Sequence, residues 1–266
     1  MITVEFGSQT RGDCDVFSDR DLLIVGTTSQ LITAPKDERW RNHSISRFTY
    51  DKAAYLISSG SLFFKHILDE GSLVEGSTAD ADRLFRAWKP APSYREEIEE
   101  NVDLLDLVEF IPNSMLGLSA AIDIIFTALR SILIRELASN GLFLFSWKQI
   151  LEKAELLGWI TAREKFLFLQ ARKLKNAYRR GEKPQIQHDF FNCFSEAAFK
   201  TLRISRKTML ADRKAIFGLA DHFLDRSYKQ LRAIELLCAE YEFDNSLSHF
   251  GELVKNPTQF CSGGYS

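Results

Sequence analysis

The periodicity of this chain changes once, at "KPAPSYREE", residues 89 to 97. Two prolines and a serine ahead of acidic residues read as a linker that ends in a helix start. Before it, apolar residues come in short runs bounded by turn residues. After it, nearly everything to about Tyr241 recurs at helical spacing. With 266 residues there is room for two domains, each with its own core. The fold class read from this change is α+β: a small sheet-containing domain over residues 1–88, then an all-α bundle over 95–266.

In the first part, "ITVEF" and "DLLIV" have the form of short buried strands. "SISRFTY", 44 to 50, alternates as a half-buried strand, with Ile45, Arg47 and Thr49 on one side and Ser46, Phe48 and Tyr50 on the other. "DKAAYLISSGSLFFKHILDEG" reads as a helix interrupted near Ser58, Ser59 and Gly60, with Gly71 as its C-cap. Beyond the linker, Val102, Leu105 and Val108 recur every third residue. "SMLGLSAAIDIIFTALRSILIRELASNG" reads as a long apolar helix closed by Gly141, and the next helix has Ser146 as its N-cap. The helix after that stops at Gly181 and Pro184, and further helices are expected over Phe190 to Leu202 and Arg206 to Tyr241. No internal repeat and no low-complexity segment is present.

Bulk properties narrow the class. A formal net charge of −2 does not mark the whole molecule as a binder of nucleic acid or acidic membrane. Cys14, Cys193, Cys238 and Cys261 lie far apart, without the spacing of a zinc site or a disulfide framework. "MITVEFGS" lacks the features of a secretory leader. The run "AAIDIIFTALRSILI" is interrupted by Asp123 and Arg130, so no membrane partner is expected and the expected compartment is the cytoplasm.

The chemistry lies in "FGSQTRGDCDVFSDRDLLIVG", residues 6 to 26. Side chains at i and i+2 of a strand project to one face, so Asp19 and Asp21 converge there, anchored by Leu22 to Val25. Upstream, Gly7-Ser8 offers backbone N–H groups and a hydroxyl with no Cβ at the glycine to block approach of a phosphate. Ten residues separate that turn from the D-x-D pair. Converging carboxylates beside a phosphate-accepting turn suit transfer of a nucleotidyl group by Mg²⁺.

These residues resemble the DNA polymerase β-like nucleotidyltransferase superfamily, whose signature is an apolar residue, then G with G or S, about ten residues, then D-h-D. Phe6-Gly7-Ser8 and Asp19-Arg20-Asp21 match it, and the fuller "GSQTRGD…SDRDLLIVG" is most similar to the minimal nucleotidyltransferase branch. The resemblance covers residues 3 to 76, with "GSLFFKHILDEGSLV" matching the helix that closes the small domain. It implies a mixed sheet, Asp19 and Asp21 as catalytic metal ligands for Mg²⁺, and Gly7 and Ser8 as the grip on the phosphates of an NTP, most simply ATP. Arg11 and Ser18 would be further nucleotide contacts, with a solvated turn an even alternative for Arg11 and Asp13. The implied activity is transfer of an NMP to a hydroxyl on a protein, an RNA or a small molecule, in a toxin–antitoxin or resistance setting. Homo- and hetero-oligomers are both open.

The chain departs from the family pattern in two places. Aligned with the family's next strand, Ser44 stands where a third carboxylate is usual, and serine neither carries the charge nor takes the proton. Asp51, Asp69 and Glu70 are the substitutes, each more often a surface carboxylate. A catalytically decayed nucleotide-binding or interaction protein is therefore the alternative reading. The family's leading helix is also missing ahead of the first strand, which leaves one sheet face for the helical half or a partner to cover.

The helical half is similar to the substrate-binding or HEPN module that accompanies this branch, through "LQARKLKNAYRRGEKP". HEPN ribonucleases use R-x(4–6)-H; here Arg172 is followed by Tyr178, and no histidine stands at that distance from an arginine, so ribonuclease activity is not implied. Lys173, Lys175, Arg179, Arg180 and Lys183 would either face phosphate or form a solvated face near a helix C-terminus. Phe166, Phe168, Phe190, Phe191, Phe194 and Phe199 read as core, as do Trp88, Trp147 and Trp159. The histidines show no ligand spacing.

Overall fold

The computed structural model describes residues 1–7, 10, 20–33, 40, 43–205, 210–211 and 227–240. They form two compact units, Met1–Ser93 with Gly141–Ser146, and Tyr94–Asn140 with the described residues from Trp147 on. The protein is α+β.

In the first unit the order is β1 (Ile2–Phe6), β2 (Arg20–Gly26), α1 (Thr28–Thr33), β3 (His43–Thr49), α2 (Tyr50–Ser58), α3 (Leu62–Glu70), β4 (Ser72–Glu75) and α4 (Thr78–Phe85). The sheet order is β3-β2-β1-β4. β1 runs antiparallel to both β2 and β4, while β2 and β3 are parallel. Cross-strand partners share a face. Ile2, Val4 and Phe6 thus meet Leu23 and Val25 on one face, which packs on Ala53, Ile57, Phe64, Ile67, Ala81 and Phe85 of α2, α3 and α4. Gly141–Ser146 completes this unit: Phe143 meets the Trp88 ring edge-on at 5.4 Å, and Phe145 stacks on His66 at 4.6 Å.

Several boundaries differ from expectation for local reasons. The strand read through Tyr50 ends at Thr49, whose hydroxyl accepts from the Lys52 N–H and so starts α2 there. Gly71 is extended (φ −75°) rather than left-handed. It is needed for space, since a Cβ would run into the Ile67 carbonyl and lie 2.7 Å from Val4 Cγ1. The stretch read as one closing helix through residue 74 leaves the helix at Gly71 and pairs as β4.

The second unit comprises α5 (Arg95–Leu104), a 3-10 turn (Leu105–Phe110), β5 (Ile111–Pro112), α6 (Met115–Ser139), α7 (Trp147–Leu156), α8 (Ala162–Arg179), α9 (His188–Leu202), β6 (Leu210–Ala211) and α10 (Tyr228–Glu240). The three-residue recurrence through Leu105 and Val108 belongs to the 3-10 turn, where positions i and i+3 eclipse. α6 is the hub, packed by α5, α8, α9 and α10. By length and composition it could cross a membrane; here 83% of its most apolar window is buried inside the protein. The all-α expectation is corrected by the parallel β5–β6 pair, which also interrupts the helix read over 206 to 241. Phe166, read as core, is 60% exposed, while Phe168, Phe191, Phe194 and Phe199 are buried.

Candidate functional site

β1 ends at Phe6 and the chain turns at Gly7, whose φ of +92° disfavours any side chain. The Thr10 hydroxyl donates to the Gly7 carbonyl at 2.7 Å and ties the turn back. Opposite Phe6 in the ladder stands Asp21, half-buried near the start of β2. A Cβ placed on Gly7 would lie 2.8 Å from Asp21 Oδ2. The glycine therefore serves both the backbone conformation and the close approach of a carboxylate to the main chain.

On its other side Asp21 pairs in parallel register with Ser44. The serine read from the sequence as standing in the carboxylate position is thus the direct neighbour of Asp21. Arg20 belongs to the opposite face and is exposed. Gly7 and Asp21 are brought together, whereas Ser8, Arg11, Ser18 and Asp19 lie outside the described residues. Among the described residues no group of three or more His, Cys, Asp or Glu could hold a metal ion.

The three substitute carboxylates differ in surroundings. Asp51 is exposed in the first turn of α2. Asp69 pairs with Lys65 at 2.5 Å. Glu70 meets His66 Nε2 at 2.6 Å, with both side chains nearly buried at 12% and 15% exposure. The His66 ring is also edge-on to Phe6 at 5.4 Å. A second pair, His43 with Glu5 at 3.1 Å, lies on the other sheet face. His66 and Glu70 are one helical turn apart, a spacing visible in the sequence; Glu5 and His43 come together only through the strand order.

The basic cluster of α8 does not make one patch. Lys175 lies over the Phe126 ring, and Arg180 pairs with Glu182. Arg179 turns inward to Asp123 and Glu235, where Arg232 reaches the same two carboxylates at 2.7 Å each. The Tyr178 hydroxyl donates to Glu235 at 2.7 Å. Burial first, then the Glu235 charge and that hydrogen bond, push the Tyr178 phenol well above its ordinary range. Paired guanidiniums and carboxylates balance in charge, as a buried set must. The signal was Asp123 itself: a carboxylate inside so apolar a helix needs a partner.

No family model, curated protein or solved structure matches this chain.

Proposed function

We propose that this protein is a Mg²⁺-dependent nucleotidyltransferase of the DNA polymerase β-like kind, transferring an NMP from an NTP to an acceptor hydroxyl with release of pyrophosphate. The observation that carries the reading is the close approach of Asp21 Oδ2 to the Gly7 turn, closer than any side chain at residue 7 would permit. A backbone turn without a Cβ beside a carboxylate suits a phosphate chain bridged by a cation. Asp21, together with Asp19, would hold Mg²⁺, which would neutralise charge developing at the α-phosphorus. Gly7 and Ser8 would hold the leaving phosphates. The helical unit would bind the acceptor, whether protein, RNA or small molecule.

The test is incubation of the protein and a cell lysate with each α-labelled NTP and Mg²⁺. Label moves to an acceptor with the natural protein, and Asp21→Asn abolishes both transfer and pyrophosphate release. Unchanged turnover in Asp21→Asn removes this mechanism. Ser44 beside Asp21 favours one second reading, a nucleotide-binding protein whose catalytic centre has decayed. Tight binding of Mg·ATP with no pyrophosphate release from any acceptor would select it.

A further inference from the structure

Independently of that reading, we propose that the outer edge of β3 pairs with the same edge of a second copy of this chain, antiparallel about a two-fold axis through Ser46. The sheet order β3-β2-β1-β4 has two edges, and among the described residues no strand pairs with the outer side of either. The edges differ in construction. β4 has four residues, and its register with β1 shifts between Thr3 and Val4. A short, irregular edge of this kind resists further pairing. β3 has seven residues in unbroken parallel register with β2, without proline or lysine. All seven are half-buried, whereas Leu22 to Gly26 of β2 are buried. A long regular edge is a template for another strand, unless a charge blocks it. Arg47 is the fixed charge on β3.

That charge identifies the strand that fits. Thr3, Ile24 and Arg47 stand in one row across the sheet, and Glu5, Leu22 and Ile45 in the next row of the same face. Among the described residues the half-buried Arg47 guanidinium has no hydrogen bond or ion pair, and its Nε is buried without a partner. Burial pushes this guanidinium below its ordinary range, and no carboxylate offsets the shift. Glu5 leans over β2 to reach His43 through Oε1, and its side chain keeps 32% exposure. Among the described residues its Oε2 has no partner. An unpaired cation and a half-used carboxylate thus share one face of the sheet without meeting in the chain.

The two-fold brings them together. An axis normal to the sheet keeps each face on its own side, so it must pass through a residue. Through Ser46, the middle of β3, it pairs the whole strand. Ile45 then opposes Arg47 of the partner subunit, and the row Glu5, Leu22, Ile45 continues into that arginine. The arginine stem crosses Ile45, and its guanidinium meets Glu5 Oε2. The two main chains are three strand spacings apart, about 14 Å. Two long side chains extended toward each other close that distance, and Glu5 already leans that way. Symmetry makes the contact twice. An axis at Arg47 would set two guanidiniums opposite each other, and one at Ile45 would leave Phe48 and Thr49 unpaired.

The experiment is sedimentation velocity with light scattering on the full chain at micromolar concentration. The natural chain is expected at twice the 30.5 kDa of a monomer. A monomer overturns the inference and leaves the edge to a strand of another protein. Arg47→Glu and Glu5→Arg each put like charges at both contacts, and each is expected to weaken the dimer about 100-fold. Mixed one to one, the two variants regain opposite charges at both contacts and are expected to dimerise as the natural chain does. Pairing within one chain cannot produce that rescue. Ser46→Cys is expected to cross-link under mild oxidation, beyond any background from the natural cysteines. Directly opposed residues of antiparallel strands lie about 4.5–5.5 Å apart, within disulfide range. Single variants that both stay dimeric, a mixture that stays monomeric, or a Ser46→Cys chain that does not cross-link each overturn the inference. If a single variant is unfolded by circular dichroism, Ser46→Cys decides alone. None of these measurements reads nucleotidyl transfer, so their failure leaves the nucleotidyltransferase reading standing.

Discussion

At the scale of a residue, Gly7 has two independent reasons to be glycine, and they make different predictions. Its φ of +92° strains any side chain, at a cost of about 1–3 kcal/mol. Its missing Cβ leaves room for Asp21 Oδ2, 2.8 Å from where that atom would stand. Gly7→Ala is therefore expected both to lower stability by about 1–3 kcal/mol in urea denaturation and to weaken Mg·ATP binding by displacing the carboxylate. Gly26 is the control. Its φ is not positive, and an added Cβ there would meet mainly the Gln30 side chain, at 3.1 Å from Oε1. Gly26→Ala should leave nucleotide binding intact. Equal behaviour of the two variants would mean that the Gly7 turn has no special relation to Asp21.

Among the elements, α10 is held by charge as well as by apolar burial. Leu231, Ala233, Leu236 and Ala239 supply the apolar part, and Arg232, fully buried, reaches Asp123, Glu235 and the Ala120 carbonyl. Removing one member of such a set leaves the others buried and unpaired, which costs about 3–5 kcal/mol. Arg232→Met should lower the denaturation midpoint of the helical unit accordingly. Replacing Arg232, Asp123, Glu235 and Arg179 together by apolar residues of similar volume should restore much of the loss. If Arg232→Met is neutral, the cluster does not anchor α10. The capping box of α8 works on a smaller scale: the Thr161 hydroxyl accepts from the Glu164 N–H, and Glu164 accepts back from the Thr161 N–H at 2.6 Å. Burial raises the Glu164 carboxyl, but the bonds from Lys200 and Thr161 outweigh it and hold it below its ordinary range.

Across the whole molecule, what was legible in the sequence was what short-range physics controls. The α+β class followed from the change of period, and β1, β2 and the α2–α3 pair followed from apolar runs and the Gly60 break. Of the candidate site, the Gly7 turn and the half-buried Asp21 were readable from spacing. The strand register that sets Ser44 beside Asp21, and the pairing of Glu5 with His43, depend on order in space. β4 escaped notice because "SLVE" is mostly exposed and has no apolar run to announce it. Gly141–Ser146 was equally unreadable, since it lies between helices of the second unit yet belongs to the first. Its phenylalanines give that assignment energetic content: Phe145 is only 5% exposed, and burying one such ring stabilises by about 1.5–3 kcal/mol. A fragment ending at residue 93 would leave the His66 face bare and the Trp88 edge uncovered. The same fragment carrying residues 141–146 on a long Gly/Ser linker should cover both, and should unfold at higher urea by about that amount, with His66 NMR signals shifted by the stacked ring. Identical urea midpoints for the two fragments would show that Phe143 and Phe145 contribute nothing to the first unit's stability, and that its core closes within residues 1–93.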